Sequence, residues 1–126
     1  MDLYSEEILE HYKHPQHEGT LESPDFEAED SNPLCGDKIK FAMKQGADGK
    51  ISDVAFTAAG CAISKASASM LTEYVMEKKV ERLQHMNPQE MLDLLGLKLT
   101  PARVKCALLA QAVMRKSILE KKYHLK

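Results

Sequence analysis

The chain has 126 residues, 44% hydrophobic and 29% charged, with 17 basic against 19 acidic side chains for a net charge of −2. That length and balance fit one globular domain over 1–126. They exclude several classes: no apolar run reaches the ~18 residues of a membrane helix, no basic excess exists to drive nucleic-acid binding, and the acidic, amphipathic opening MDLYSEEILEHYK is not a signal peptide.

A first helix is expected from about Asp2 to Lys13, with Leu3, Ile8, Leu9 and Tyr12 as its buried stripe. Pro15 disfavours helical geometry at His14 and closes it. After a loop with Gly19, Ser23 and Pro24, the alternation in Phe26-Glu27-Ala28-Glu29 predicts a half-buried strand. Ile39, Phe41 and Met43 against Lys38, Lys40 and Lys44 predict a second. Gly46-Ala47-Asp48-Gly49 reads as a hairpin turn into a third, about Ile51 to Ala58, with Val54, Phe56 and Ala58 on one face.

Gly60 breaks that pattern, and Cys61 through Lys78 reads as a helix opening with small residues, Ala62, Ser64, Ala66, Ser67, Ala68 and Ser69. Asn87-Pro88-Gln89-Glu90 combines an N-cap asparagine, proline at the first helical position and glutamate at the third; Gly96 ends that short helix. Thr100-Pro101 starts the last helix, which runs to about Lys122. The order predicts an α+β fold: one N-terminal helix, a three-stranded antiparallel sheet covered on one face, and three C-terminal helices.

Three cysteines with no CxxC pair do not make a disulfide framework. A reducing, cytoplasmic compartment is expected, where the thiols are free for packing, metal ligation or sulfur chemistry. Cys35 lies in the turn Asn32-Pro33-Leu34-Cys35-Gly36-Asp37, Cys61 at a strand-to-helix junction, and Cys106 near the start of the last helix. All three fall at element ends, where side chains can converge. A helix N-terminus at Cys61 favours a thiolate. Gly36 lets the chain turn tightly between Cys35 and Asp37, and Asp37 can add an oxygen ligand. Arg103 and Lys105 put positive charge beside Cys106. Three thiolates and one carboxylate make four donors, enough for tetrahedral zinc or an iron–sulfur cluster. The opposing reading is that the cysteines are small buried hydrophobes and Asp37 is a turn residue.

Other features carry less. His11, His14 and His17 are three residues apart, but Pro15 interrupts any helix that would align them. His85 and His124 have no visible partner, and core filling accounts for the seven methionines. An acidic stretch, Glu18, Glu22, Asp25, Glu27, Glu29 and Asp30, precedes a basic C-terminal helix with Arg115, Lys116, Lys121, Lys122 and Lys126. Each is a solvated face or a charged docking surface. Tyr4 is either an exposed aromatic contact or a buried helix staple.

Asn32-Pro33-Leu34-Cys35-Gly36-Asp37, Gly60-Cys61-Ala62-Ile63-Ser64-Lys65-Ala66-Ser67-Ala68-Ser69 and Arg103-Val104-Lys105-Cys106 resemble the three signature segments of the NifU/IscU-type iron–sulfur scaffold family. Tyr4-Ser5-Glu6, Ile8, His11-Tyr12 and Pro15 resemble that family's N-terminus, so the resemblance spans nearly the whole chain. It implies a three-stranded antiparallel sheet with packed helices. It also implies a scaffold that takes persulfide sulfur from a cysteine desulfurase, binds iron, builds a [2Fe–2S] cluster and passes it to apo-proteins. Cys35, Cys61 and Cys106 would be ligands, Asp37 the modulating carboxylate, and Cys106 the first sulfur acceptor. Many members bind zinc at the same four positions. An iron donor or a chaperone are further partners the resemblance suggests.

Lys105 stands where the IscU branch carries a histidine. Leu99-Thr100-Pro101-Ala102-Arg103 stands where that branch has a chaperone-read Leu-Pro-Pro-Val-Lys segment. Arg103, Lys105 and the Ala-Ile-Ser-Lys-Ala-Ser run look more like the SufU branch, whose members can act as zinc-bound sulfur acceptors, yet this chain is too short to hold the SufU insertion between the second and third cysteines. The leading expectation is a carrier rather than an enzyme. The alternatives are a zinc-dependent sulfurtransferase partner and a domain whose zinc only stabilises the fold.

Overall fold

The alternating segments form an antiparallel meander in a computed structural model of the chain, which describes residues 6–33, 36–96 and 99–123. Strands β1 (Phe26–Asn32), β2 (Asp37–Gln45) and β3 (Ile51–Ala59) lie in the order β1-β2-β3. Ala28 pairs with Phe41 and Phe41 with Phe56, which aligns the apolar sets of all three strands on one face. Phe26, Ala28, Ile39, Phe41, Met43, Val54 and Phe56 are buried there. The β2–β3 turn is closed by Gly46 N–H donating to the Lys50 carbonyl at 2.8 Å, with Gly49 at φ +81°.

Helices α2 (Ala62–Val75) and α5 (Pro101–Tyr123) cover that face, joining Ile63, Ala66, Leu71, Ala107, Ala110, Val113, Met114 and Ile118 to the core. Helix α1 (Glu6–Lys13) packs on α2; α3 (Val80–Gln84) and α4 (Pro88–Leu95) pack on α5. The expected α+β architecture holds, with four described helices after the sheet because α3 adds a short one. Five residues are too few to register as a period, and Val80 and Leu83 alone mark its inward side.

Two boundaries and one buried stripe differ from expectation. Strand β1 continues past Glu29 to Asn32, held by pairing with β2 through Asn32–Asp37. Helix α2 stops at Val75 rather than Lys78, because the β3 backbone captures the next residues: Glu77 N–H donates to the Ile51 carbonyl and Ile51 N–H to the Lys78 carbonyl, both at 2.9 Å. In α1 only Ile8 of the expected stripe is buried; Leu9 and Tyr12 are 40% and 42% exposed, and Leu3 lies outside the described residues. The helix docks through His11 instead, whose Nδ1 lies 2.6 Å from Ser69 Oγ and whose Nε2 lies 3.2 Å from Glu73 Oε1. That polar fit rolls Leu9 and Tyr12 outward.

His17 bonds Thr72 Oγ1 at 3.0 Å, while His14 is exposed, so the three N-terminal histidines do not converge. His11 and His17 tie the leading segment to α2. The acidic stretch is largely matched within the chain: Glu18 with Lys65, Glu27 with Lys40, Glu29 with Lys38 and Asp30 with Lys116. Tyr4, His124 and Lys126 lie outside the described residues.

Candidate metal centre

Asp37 opens β2, and Cys61 is the N-cap of α2. Pairing of Lys38 with Ala59 carries Asp37 one step further along the sheet, against Gly60. A Cβ at Gly60 would sit 2.0 Å from Asp37 Oδ1 and 2.8 Å from its Cα, so only glycine lets the carboxylate lie there. Gly60 also has φ +130°, which L side chains rarely adopt.

The carboxylate then completes the start of α2. Cys61 makes no capping bond with its own side chain. Asp37 does this from a neighbouring strand: Cys61 N–H donates to Oδ1 at 2.8 Å, and Cys61 Sγ–H donates to Oδ2 at 3.4 Å. A negative group at a helix N-terminus is favoured by the unpaired N–H groups and the helix dipole. Ser64, one turn on, donates its hydroxyl to Asp37 Oδ2, and its Oγ lies 3.3 Å from the Cys106 carbonyl oxygen and 3.7 Å from Cys61 Sγ.

Cys106, early in α5, completes the group. The donor atoms of Asp37, Cys61 and Cys106 lie within 4.8 Å of one another, and this is the one cluster of three or more such residues among the described residues. Asp37 and Cys106 are buried and Cys61 is half-buried. Soft sulfur donors with one hard oxygen fit zinc or iron. Cys35, the fourth expected donor, lies outside the described residues. Arg103 and Lys105, which precede Cys106 on α5, are exposed. Beyond their place in a signature segment, Ser64 and Gly60 stand in the sequence as a small residue and a breaker, with no role at the site. The available signal was position, since a hydroxyl three residues after an N-cap points back toward the helix start.

The family model for the NifU-like N-terminal domain matches residues 3–126. The chain belongs to the NifU-like N-terminal domain family. Within that family it is 33% identical to the "Zinc-dependent sulfurtransferase SufU" of Bacillus subtilis (strain 168), over 92% of this chain and 89% of that protein. It is 30% identical to the "Iron-sulfur cluster assembly scaffold protein IscU" of Escherichia coli (strain K12), over 94% of each. A crystal structure of a candidate SUF-system scaffold from Fervidobacterium islandicum AW-1 superposes with a TM-score of 0.74 at 26% identity, covering 92% of this chain and 96% of that one. The NifU-like domain here thus has relatives on both the scaffold and the sulfurtransferase side. No helix among its described residues is long and apolar enough to cross a membrane.

Proposed function

We propose that this NifU-like domain is an iron–sulfur cluster assembly scaffold, and that residues 1–126 act as one such domain. The convergence of Asp37, Cys61 and Cys106 at one end of the sheet carries the reading. Cys35, Cys61, Cys106 and Asp37 hold iron, and a [2Fe–2S] cluster is the cargo. The sulfur comes from a cysteine desulfurase: the Cys106 thiolate attacks the outer persulfide sulfur, a new S–S bond forms on Cys106, and the desulfurase cysteine leaves as thiolate. Cys106 is 3% exposed, so the desulfurase must uncover it; Cys61 is the more open of the two described thiols. Asp37 is the exchangeable ligand, because a carboxylate holds a thiophilic centre less firmly than a fourth thiolate. Recipients are apo-proteins, an iron donor or chaperone assists, and the compartment is the cytoplasm.

The second reading, a zinc-dependent sulfur acceptor, is favoured by the likeness to SufU. In that reading Cys35, Asp37, Cys61 and Cys106 would hold zinc, and Cys106 would be freed when the desulfurase supplies a ligand in its place. The protein is then a sulfurtransferase rather than a carrier.

Anaerobic reconstitution decides between them. Metal-free protein is mixed with a cysteine desulfurase, cysteine, ferrous iron and a dithiol that reduces persulfide sulfur to sulfide, and apo-ferredoxin follows. A visible charge-transfer band that grows and then moves to the ferredoxin supports the scaffold. Persulfide on the protein in a parallel reaction without the dithiol, and no such band with it, supports the sulfur acceptor, and neither signal leaves a structural metal domain. Cys106→Ser abolishes persulfide uptake by mass spectrometry; uptake retained would move the acceptor role to Cys61 or Cys35.

A further inference from the structure

Ser64 is fully buried, and its hydroxyl has a single hydrogen to donate. Three acceptors surround that hydrogen: Asp37 Oδ2, the Cys106 carbonyl oxygen at 3.3 Å and Cys61 Sγ at 3.7 Å. Without metal the carboxylate takes it, as the nearest of the three acceptors. Moving Asp37 Oδ2 onto a metal draws that oxygen away from the Ser64 hydroxyl. A buried hydroxyl left without an acceptor is costly, so Asp37 can move onto a metal cheaply only if the hydrogen has somewhere to go. The Cys106 carbonyl supplies that place from the other ligand-bearing helix.

We infer that Ser64 is a positioning residue that governs whether Asp37 lies on or off the metal, its hydroxyl turning between the Asp37 carboxylate and the Cys106 carbonyl. Off the metal, Asp37 is caught by Ser64 and by Cys61 N–H. On the metal, Ser64 bonds to α5 and keeps Cys106 in place. Ser64 thereby stabilises the open ligand position through which cargo or an incoming thiolate exchanges. This rests on the proposed role of Asp37 as a ligand.

The test uses zinc and, as a spectroscopic substitute, cobalt(II). Zinc release to a chromogenic chelator is timed for the wild type, Ser64→Ala, Asp37→Ala and the double variant. Losing a charge-assisted hydrogen bond from the off state costs more than losing a neutral one from the on state, so Ser64→Ala releases zinc about fivefold more slowly. Ser64→Thr, which keeps the hydroxyl, restores wild-type release. In the Asp37→Ala background Ser64→Ala changes nothing, which a merely structural role would not produce. Alanine raises helix propensity at this site; if the metal-free variant does not fold, release is timed from protein purified zinc-loaded. Faster or unchanged release in Ser64→Ala overturns the inference, as does an equal effect with Asp37 absent. The reading beneath it fails separately: a cobalt spectrum unaltered by Asp37→Ala would mean that Asp37 is not a ligand.

Discussion

Replacing Gly60 by alanine puts a methyl carbon where Asp37 Oδ1 and Cα already lie. The obstacle includes backbone, so a rotamer change cannot relieve it, and φ +130° adds strain of its own. Gly60→Ala is expected to cost about 2–4 kcal/mol of stability and to expel the carboxylate from the start of α2. Denaturant unfolding reads the first effect, and a changed cobalt(II) spectrum reads the second. Both effects absent would show that Asp37 does not need this cradle. The roles of Gly60 and Ser64 were hidden in the sequence for one reason. Each acts on Asp37, 23 and 27 positions upstream, and only the β2–β3 pairing brings them together. The cysteines were legible because their chemistry is rare, whereas a serine in a small-residue run is ordinary.

Helix α4 shows the opposite case, in which local chemistry fixes an element. Asn87 accepts Glu90 N–H at 2.9 Å, Glu90 reaches back to Asn87 N–H, and Gly96 closes the helix at φ +67°. All of this could be read from five residues, since capping is local. Where a boundary is set by a distant strand, as at Val75, or a helix is docked by histidine hydrogen bonds, as in α1, periodicity alone misplaces it. Glu90 also pairs with Arg82 of α3. The hydrogen bond from Arg82 holds the Glu90 carboxyl below its ordinary range, and the same bond raises Arg82, which stays charged at any working pH. A carboxyl depressed in the folded state stabilises above its unfolded value and loses that contribution as pH falls through the folded one. Amide protection factors in the first turn of α4 should therefore fall before those of the sheet as pH drops below the ordinary carboxylate range, and Glu90→Gln should remove the step. Simultaneous loosening of sheet and α4 would argue against the local pair. Asn87→Ala should cost about 1 kcal/mol at neutral pH by denaturant unfolding.

Most of the core is built from side chains outside the Asp37–Cys61–Cys106 cluster, which touches it through Cys106, a core residue, and Cys61, packed against it. Ile8, Phe41, Met43, Phe56, Leu71, Leu83, Met91 and Met114 bury between sheet and helices without using the cluster's polar atoms. Chelation of bound zinc should leave the far-ultraviolet dichroism and a cooperative thermal transition in place. The midpoint should fall only as far as loss of a bound ligand requires. Loss of the transition would return the structural-zinc alternative. The sheet's edges bear on a different hazard. The β3 edge is already occupied, with Gly19 N–H donating to the Phe56 carbonyl at 2.8 Å and Phe56 N–H to the His17 carbonyl at 3.1 Å. The opposite edge, β1, carries Glu27, Glu29 and Asp30, and the Lys116 ammonium sits on the Glu29 carbonyl at 3.1 Å. A second copy approaching β1 edge to edge would meet its own acidic side chains and a carbonyl already engaged. The edge that stays open is thus no ready template for a growing fibre.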